Sequence, residues 1–199
     1  MGLLVRRVRR VILETLFSTL NEEGHPNFAP MGVVWGEEEV TVRPFRDTAT
    51  FRNLLRASCG VANLTDDVLL FARAAFEKVD PRWCPARHIE GAVLAEACSW
   101  RELEVIEVGD AGADDRADIR CRIVGRGHRR EFLGFSRARS AVIEAAIIAT
   151  RLHLHRREDV EEDLARYREV VARTGGDREH EAMAYLEDRV MRWYGARSG

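Results

Sequence analysis

The sequence predicts an α+β protein in which strands come first and helices follow, and three observations carry that reading. Over roughly residues 1–130, short runs of β-branched and aromatic residues alternate with turn formers, the pattern of strands. From Ser136 onward apolar residues recur at helical spacing, which collects them on one face of a helix. Gly175-Gly176 then interrupts the helical pattern before a last amphipathic stretch.

Residues 11–20 carry Val, Ile, Leu, Phe and Thr and end at Asn21-Glu22-Glu23-Gly24, a turn. Residues 27–35 form a second extended run, stopped by Gly36 and the glutamates that follow, and the two runs make a hairpin. Val40-Thr41-Val42 alternates and continues the meander, with Pro44 confining it to a strand end or edge. Over residues 48–57 the period changes: Phe51, Leu54 and Leu55 share helical spacing, and Thr48 or Thr50 can cap the start. Residues 60–65 return to a strand. Asp66 and Asp67 open the next helix, with Val68, Leu69, Ala72, Ala75 and Phe76 on its apolar side. Residues 81–85 read as a loop carrying Trp83. Two more strands follow, at residues 100–108 and 119–124, joined by the polar connection 110–115. In the second, Ile119, Cys121 and Ile123 alternate with Arg120 and Arg122, so one face meets solvent. The helical part has three stripes: Val142, Ala145, Ala149 and Leu152; Val160, Leu164, Tyr167 and Val171; then Met183, Leu186, Val190 and Trp193. The chain divides into segments 1–135 and 136–199.

At 199 residues the chain is long enough to bury a core without disulfides or metals. Its 46% hydrophobic and 32% charged residues exclude a disordered chain. A net charge of −2 leaves no global basic field for nucleic acid, although Arg6, Arg7, Arg9 and Arg10 form a local basic cluster. Cys59, Cys84, Cys98 and Cys121 form no CxxC pair and have no histidine at zinc-finger spacing, so free thiols in a reducing compartment are expected. His153 and His155, two apart in a helix, point to different sides and make a poor metal pair. The N-terminus lacks the layout of a signal peptide, and no run approaches the roughly 18 apolar residues of a membrane span. A cytoplasmic protein without membrane contact is expected.

Chemistry concentrates between residues 27 and 63. A strand of Asn27-Phe28-Ala29-Pro30-Met31-Gly32-Val33 keeps its backbone accessible, and Gly32 removes a side chain where a planar ring could approach. Taken alone, the heptapeptide reads equally as a hairpin strand with an edge proline. Farther on, Arg46, Thr48, Thr50, Arg52 and Asn53 bring hydroxyls, a helix start and guanidinium groups together, a set suited to a phosphate monoester. An ordinary helix cap with solvated arginines fits the same string, and the charge of Asp47 opposes a phosphate unless it points away.

The order N-x-A-P-M-G-V, strand, T-x-T-x-x-N, then V-x-N, ending at Asn63, resembles the FMN-binding split-barrel superfamily. It is similar to the flavin-reductase-like branch, and most of all to archaeal and bacterial split-barrel proteins of this length with a helical C-terminal part. The motifs cover roughly residues 10–70; the later strands agree in order and the helices in character. The resemblance implies a six-stranded antiparallel, Greek-key-like split β-barrel with a C-terminal helical subdomain, in a homodimer with FMN near the subunit interface. It places Thr48, Thr50 and Asn53 at the phosphate, with Arg46 as the cation there. It places Asn27, Ala29, Pro30, Met31, Gly32 and Val33 along the ring, and Asn63 on the neighbouring strand facing the same site. The chain departs from several members in having no lysine near this segment; Lys78 is its single lysine.

No reaction follows from the motifs themselves, because one fold hosts many activities. No histidine–carboxylate pair or nucleophile stands out as a catalytic set. His25 could reach a ring edge, and Trp35 and Trp83 could stack on one, although a turn histidine and packed tryptophans serve the same positions. Two function classes remain. One is an FMN oxidoreductase using a reduced nicotinamide donor. The other is a binding or scaffold protein whose partner docks on the C-terminal helices. Bound FMN in a carrier or sensing role is a third possibility.

Overall fold

The computed structural model describes residues 11–110 and 115–197. The basic cluster from Arg6 to Arg10 and residues 111–114 of the polar connection lie outside them.

Eight strands and five helices make up the described chain. In order they are β1 (Val11–Leu20), β2 (Pro26–Trp35), β3 (Glu39–Val42), α1 (Ala49–Ala57), β4 (Cys59–Leu64), α2 (Val68–Ala74), β5 (Trp83–Pro85), β6 (Ala92–Leu94), β7 (Ser99–Asp110), β8 (Ala117–His128), α3 (Arg137–Ala149), α4 (Arg157–Thr174) and α5 (Asp177–Gly195). Six strands close into an antiparallel barrel in the order β1-β2-β3-β8-β7-β4, as the resemblance implied. The hairpin and meander expected from the sequence are β1, β2 and β3.

Three departures from the sequence reading share one cause, the shortness of the elements. Residues 81–85 contain β5, which pairs with β6 as a separate ribbon. Three-residue strands carry too little alternation to be seen. His153 lies not in a regular helix but in a single 3-10 turn, Leu152–Leu154, and His155 caps its end.

Side-chain alternation sorts the barrel residues into two cores. Phe17, Val33, Val40, Val42, Ala62, Leu103, Ile119 and Cys121 fill the interior, where Phe51 and Leu54 of α1 plug one end. Burial pushes the Cys121 thiol up to about 12, so it acts as an apolar filler. On the outer face, Leu16, Phe28, Phe71, Ala92 and Leu94 form a second layer beneath α2 and β6. Against this lies the helical core of α2, α3, α4 and α5, with Val142, Leu164, Leu186 and Val190 at its centre; Ile143 touches both layers. No helix is long and apolar enough to cross a membrane among the described residues.

Candidate functional site

Helix α1 begins where the strand edge of the barrel is open. Strand β2 pairs along its whole length with β1, but meets β3 only at Val34 and Trp35. From Pro26 to Val33 its second edge has no ladder partner among the described residues, so the peptide groups pointing that way are available to a ligand. The hairpin turn sets this register: Asn21 Oδ1 accepts from the N–H of Glu23 at 3.1 Å and of His25 at 2.8 Å, and Gly24 adopts φ 79°. The turn places Asn27 opposite Thr19.

Thr48 starts α1. Its hydroxyl accepts from the Phe51 N–H at 3.3 Å and donates to the Phe45 carbonyl at 2.7 Å. The next two amides, of Ala49 and Thr50, have no acceptor among the described residues. One face of α1 carries Thr50 and Asn53, both buried. Asn27 donates to the Thr50 hydroxyl at 3.2 Å, and Asn53 donates to the Thr19 hydroxyl at 3.0 Å. Four polar side chains thus lock the strand pair to the helix with two parallel bonds. Thr19 is absent from the sequence reading, although the hairpin register opposite Asn27 is its signal. Arg46 lies over the Phe51 ring at 5.4 Å and bonds Asp110; Arg52 donates to the Asp47 carbonyl at 2.7 Å.

The structure brings Asn27, Arg46, Thr48, Thr50 and Asn53 to one end of the barrel, with Ala29, Met31 and Val33 following along the inner face of β2. Pro30 and Gly32 alternate to the outer face. The space that a Gly32 side chain would fill is taken: a Cβ there would meet Glu14 Oε1 at 2.9 Å and Ile12 at 3.0 Å. The glycine therefore accommodates Glu14 rather than leaving a bare surface. Burial raises the pKa of Glu14, Glu144 adds to the rise, and Arg151 opposes it.

Asn63 is not brought to this cluster. It is fully buried and belongs, by the period of two, to the face opposite Ala62. Its amide donates to the Leu16 carbonyl at 3.0 Å and the Ser18 hydroxyl at 3.1 Å, and its Oδ1 accepts from Leu94 N–H at 2.8 Å. Those bonds hold β6 on β1 and β4. His25 stays in its exposed turn, 3.7 Å from Glu23; Trp35 packs on the barrel core beneath Arg101 at 5.4 Å; Trp83 sits on β5.

One histidine–carboxylate pair escaped the sequence reading. Glu102, on β7, is buried and accepts from the backbone N–H of Arg87 at 3.1 Å and of His88 at 2.6 Å, and from the Trp100 indole at 3.3 Å. His88 Nδ1 lies 3.2 Å away, with its ring half exposed. Burial alone would raise the Glu102 carboxyl; the His88 and Arg87 amides outweigh it and hold the group below its ordinary value. The partners are fourteen residues apart across a short ribbon, so no periodicity announces them. Among the described residues no three His, Cys, Asp or Glu side chains come together to hold a metal.

A closed six-stranded antiparallel barrel, with a short helix plugging one end and one strand edge open beside that helix, defines a split-barrel protein. The chain belongs to the DUF447 family, described as proteins of unknown function: the model of its N-terminal domain matches residues 13–130 and that of its C-terminal part residues 136–188. Over 92% of its length it is similar to an FMN-bound member of that family from Methanosarcina mazei, with 30% identity, 96% of that chain covered and a TM-score of 0.78. It shares the barrel with the 2-nitrobenzoate 2-nitroreductase of Pseudomonas fluorescens, at 18% identity and a TM-score of 0.52, over 62% of this chain and 67% of that one. An FMN-binding protein from Thermus thermophilus is similar at 20% identity and a TM-score of 0.51, over 64% of this chain and 77% of that one.

Proposed function

We propose that this protein is an FMN-binding flavoprotein whose cofactor lies along the open edge of β2 with its phosphate at the start of α1. The observation that carries the reading is the pair of unpartnered amides, Ala49 and Thr50, beside the unpaired strand edge. A helix N-terminus with free N–H groups and its positive dipole end suits a phosphate. The Thr48 hydroxyl and the Arg46 guanidinium stand at the same helix start, and Asp110, the ion-pair partner of Arg46, is exposed and can be exchanged. The FMN-bound family member supports the choice of ligand.

Bound there, FMN would supply hydride transfer at its ring. The residues of this chain would bind and orient it. Backbone groups between Asn27 and Val33 would meet the polar ring edge, while Thr50 and Asn53 fix the helix against β1 and β2. Asn63 supports the site from behind by tying β6 to the barrel. An oxidoreductase drawing electrons from a reduced nicotinamide nucleotide is the activity proposed, in a homodimer; the exposed Phe132, Leu133 and Phe135 offer an apolar patch for a second copy.

The test is the visible spectrum of the protein mixed with FMN and freed of excess. Flavin bands retained near one per chain are expected. Arg46→Ala should weaken FMN roughly tenfold, the value of one charge-assisted hydrogen bond, with an unchanged melting temperature. No retained flavin in the unaltered protein would overturn the reading and favour the scaffold class.

A further inference from the structure

We propose that the helical part holds a second ligand site, for a small aromatic anion, in the cavity between the C-terminal ends of α2 and α3 and one face of α5. Its volume is about 470 Å³, within the range of small-molecule sites. The basic residues lining it are His153, Arg189 and Arg192, and no acidic side chain lines it.

Arg189 is the centre of the argument. It is half buried, makes no ion pair among the described residues, and lies over the Phe76 ring at 5.0 Å. The guanidinium faces the cavity with no carboxylate beside it, and an anion bound there would give it a charge-assisted partner. Arg192 is held 2.9 Å from Asp188 on the preceding turn, which aims it without filling the cavity. Trp193 shares this face of α5, at the helical spacing of Arg189, and offers a second aromatic wall. Arg197 stacks on that indole at 4.7 Å and adds positive charge.

The opposite wall is the end of α3, at Ala149 and Thr150. Helix C-termini present carbonyl oxygens and the negative dipole end, which disfavour an anion there and favour a hydrogen-bond donor. The polarity of the cavity therefore sets the ligand's orientation: its charge at Arg189 and Arg192, its ring between Phe76 and Trp193. A neighbouring cavity of about 330 Å³ lacks this bias, because its Arg73, Arg82 and Arg178 are each paired, with Glu181, Glu96 and Asp67.

The site stands apart from the α1 end of the barrel and does not depend on the flavin reading. Its test is calorimetric titration of the full-length protein with adenosine monophosphate and with benzoate, set against inorganic phosphate and benzyl alcohol. One equivalent of an aromatic anion should bind, and which of the two binds tells a nucleotide from an aromatic acid. Arg189→Ala should lower that affinity about tenfold or more, with Arg189→Lys recovering part of it. The titrations are run with one equivalent of FMN present, so that the α1 end is occupied, and both variants should melt as the unaltered protein does. Three results would each overturn the proposal: no heat with either anion at millimolar concentration, phosphate alone binding as tightly, or full affinity in Arg189→Ala.

Discussion

Glu102 shows how a single carboxylate can organise a loop. Its two oxygens receive the Arg87 and His88 amides, the Trp100 indole and the facing His88 ring, so the segment after β5 is pinned to the barrel wall. Strand β8 makes room for this arrangement with Gly125, where a Cβ would fall 2.6 Å from His88 Nδ1 and 2.9 Å from Glu102 Cδ. Replacing Glu102 by Gln keeps the shape but turns one acceptor into a donor facing N–H groups. The expected cost is about 1–3 kcal/mol, read from urea unfolding at neutral pH. The folded state holds this carboxyl below its ordinary value, so its stabilisation is complete above the unfolded value and is lost as pH falls below about 4. Unfolding curves from pH 7 downward should therefore show a smaller acid loss in Glu102→Gln than in the unaltered protein. Equal slopes would show that Glu102 is not the group responsible.

At the scale of elements, caps and alternation made most of the fold legible, and their absence hid the rest. Thr48, Asp67 and Ser136 all accept from the N–H three residues on, so the starts of α1, α2 and α3 stood in the sequence as side-chain oxygens ahead of apolar periods. Gly175 and Gly176 separate α4 from α5 as read. The ribbon of β5 and β6 had no such marker. For the site, spacing brought Asn27, Thr48, Thr50 and Asn53 into view, because a hairpin and a capped helix are local. The structure turns Asn63 and Gly32 to the opposite wall from Ala62 and Val33, because alternation decides which wall of the barrel a side chain faces, and a shift of one position exchanges the two. The local part is testable. Thr48→Ala should cost about 1 kcal/mol in thermal unfolding, with Thr48→Ser close to neutral. It should also weaken FMN, since the amides of Ala49 and Thr50 are ordered by that cap. Loss of stability with undiminished flavin binding would move the phosphate away from α1.

Across the whole molecule, an ion network with buried carboxylates and half-buried arginines joins the barrel to the helices. Asp66 follows β4 and is nearly inaccessible; it bonds Arg130, beyond β8, and Arg139 of α3 at 3.1 Å. Arg139 continues to Glu179 of α5 at 3.0 Å, and Glu179 accepts from the Gly176 N–H at 2.9 Å. Two cations and two anions from four parts of the chain leave no charge unbalanced. The hydrogen bond from Arg130 is the foremost reason the Asp66 carboxyl lies below its ordinary value, so this contribution too disappears on the acid side. Removing the Asp66 charge leaves Arg139 with Glu179 and Arg130 with the Glu96 carbonyl, so the loss is that of the Asp66 bonds themselves. Asp66→Asn should destabilise the protein by about 1–3 kcal/mol. The decisive observation is whether helix circular dichroism and tryptophan fluorescence still unfold together. In a Trp193→Phe background, which removes the indole of α5, Trp35 and Trp100 report on the barrel, and most helical signal comes from α3, α4 and α5. Because Ile143 packs into both cores, coincident transitions are expected in the unaltered protein. If the network supplies the remaining coupling, the two signals should separate in Asp66→Asn, with the helices melting first. A variant that loses stability while both signals stay superimposed would assign the coupling to the apolar layer instead.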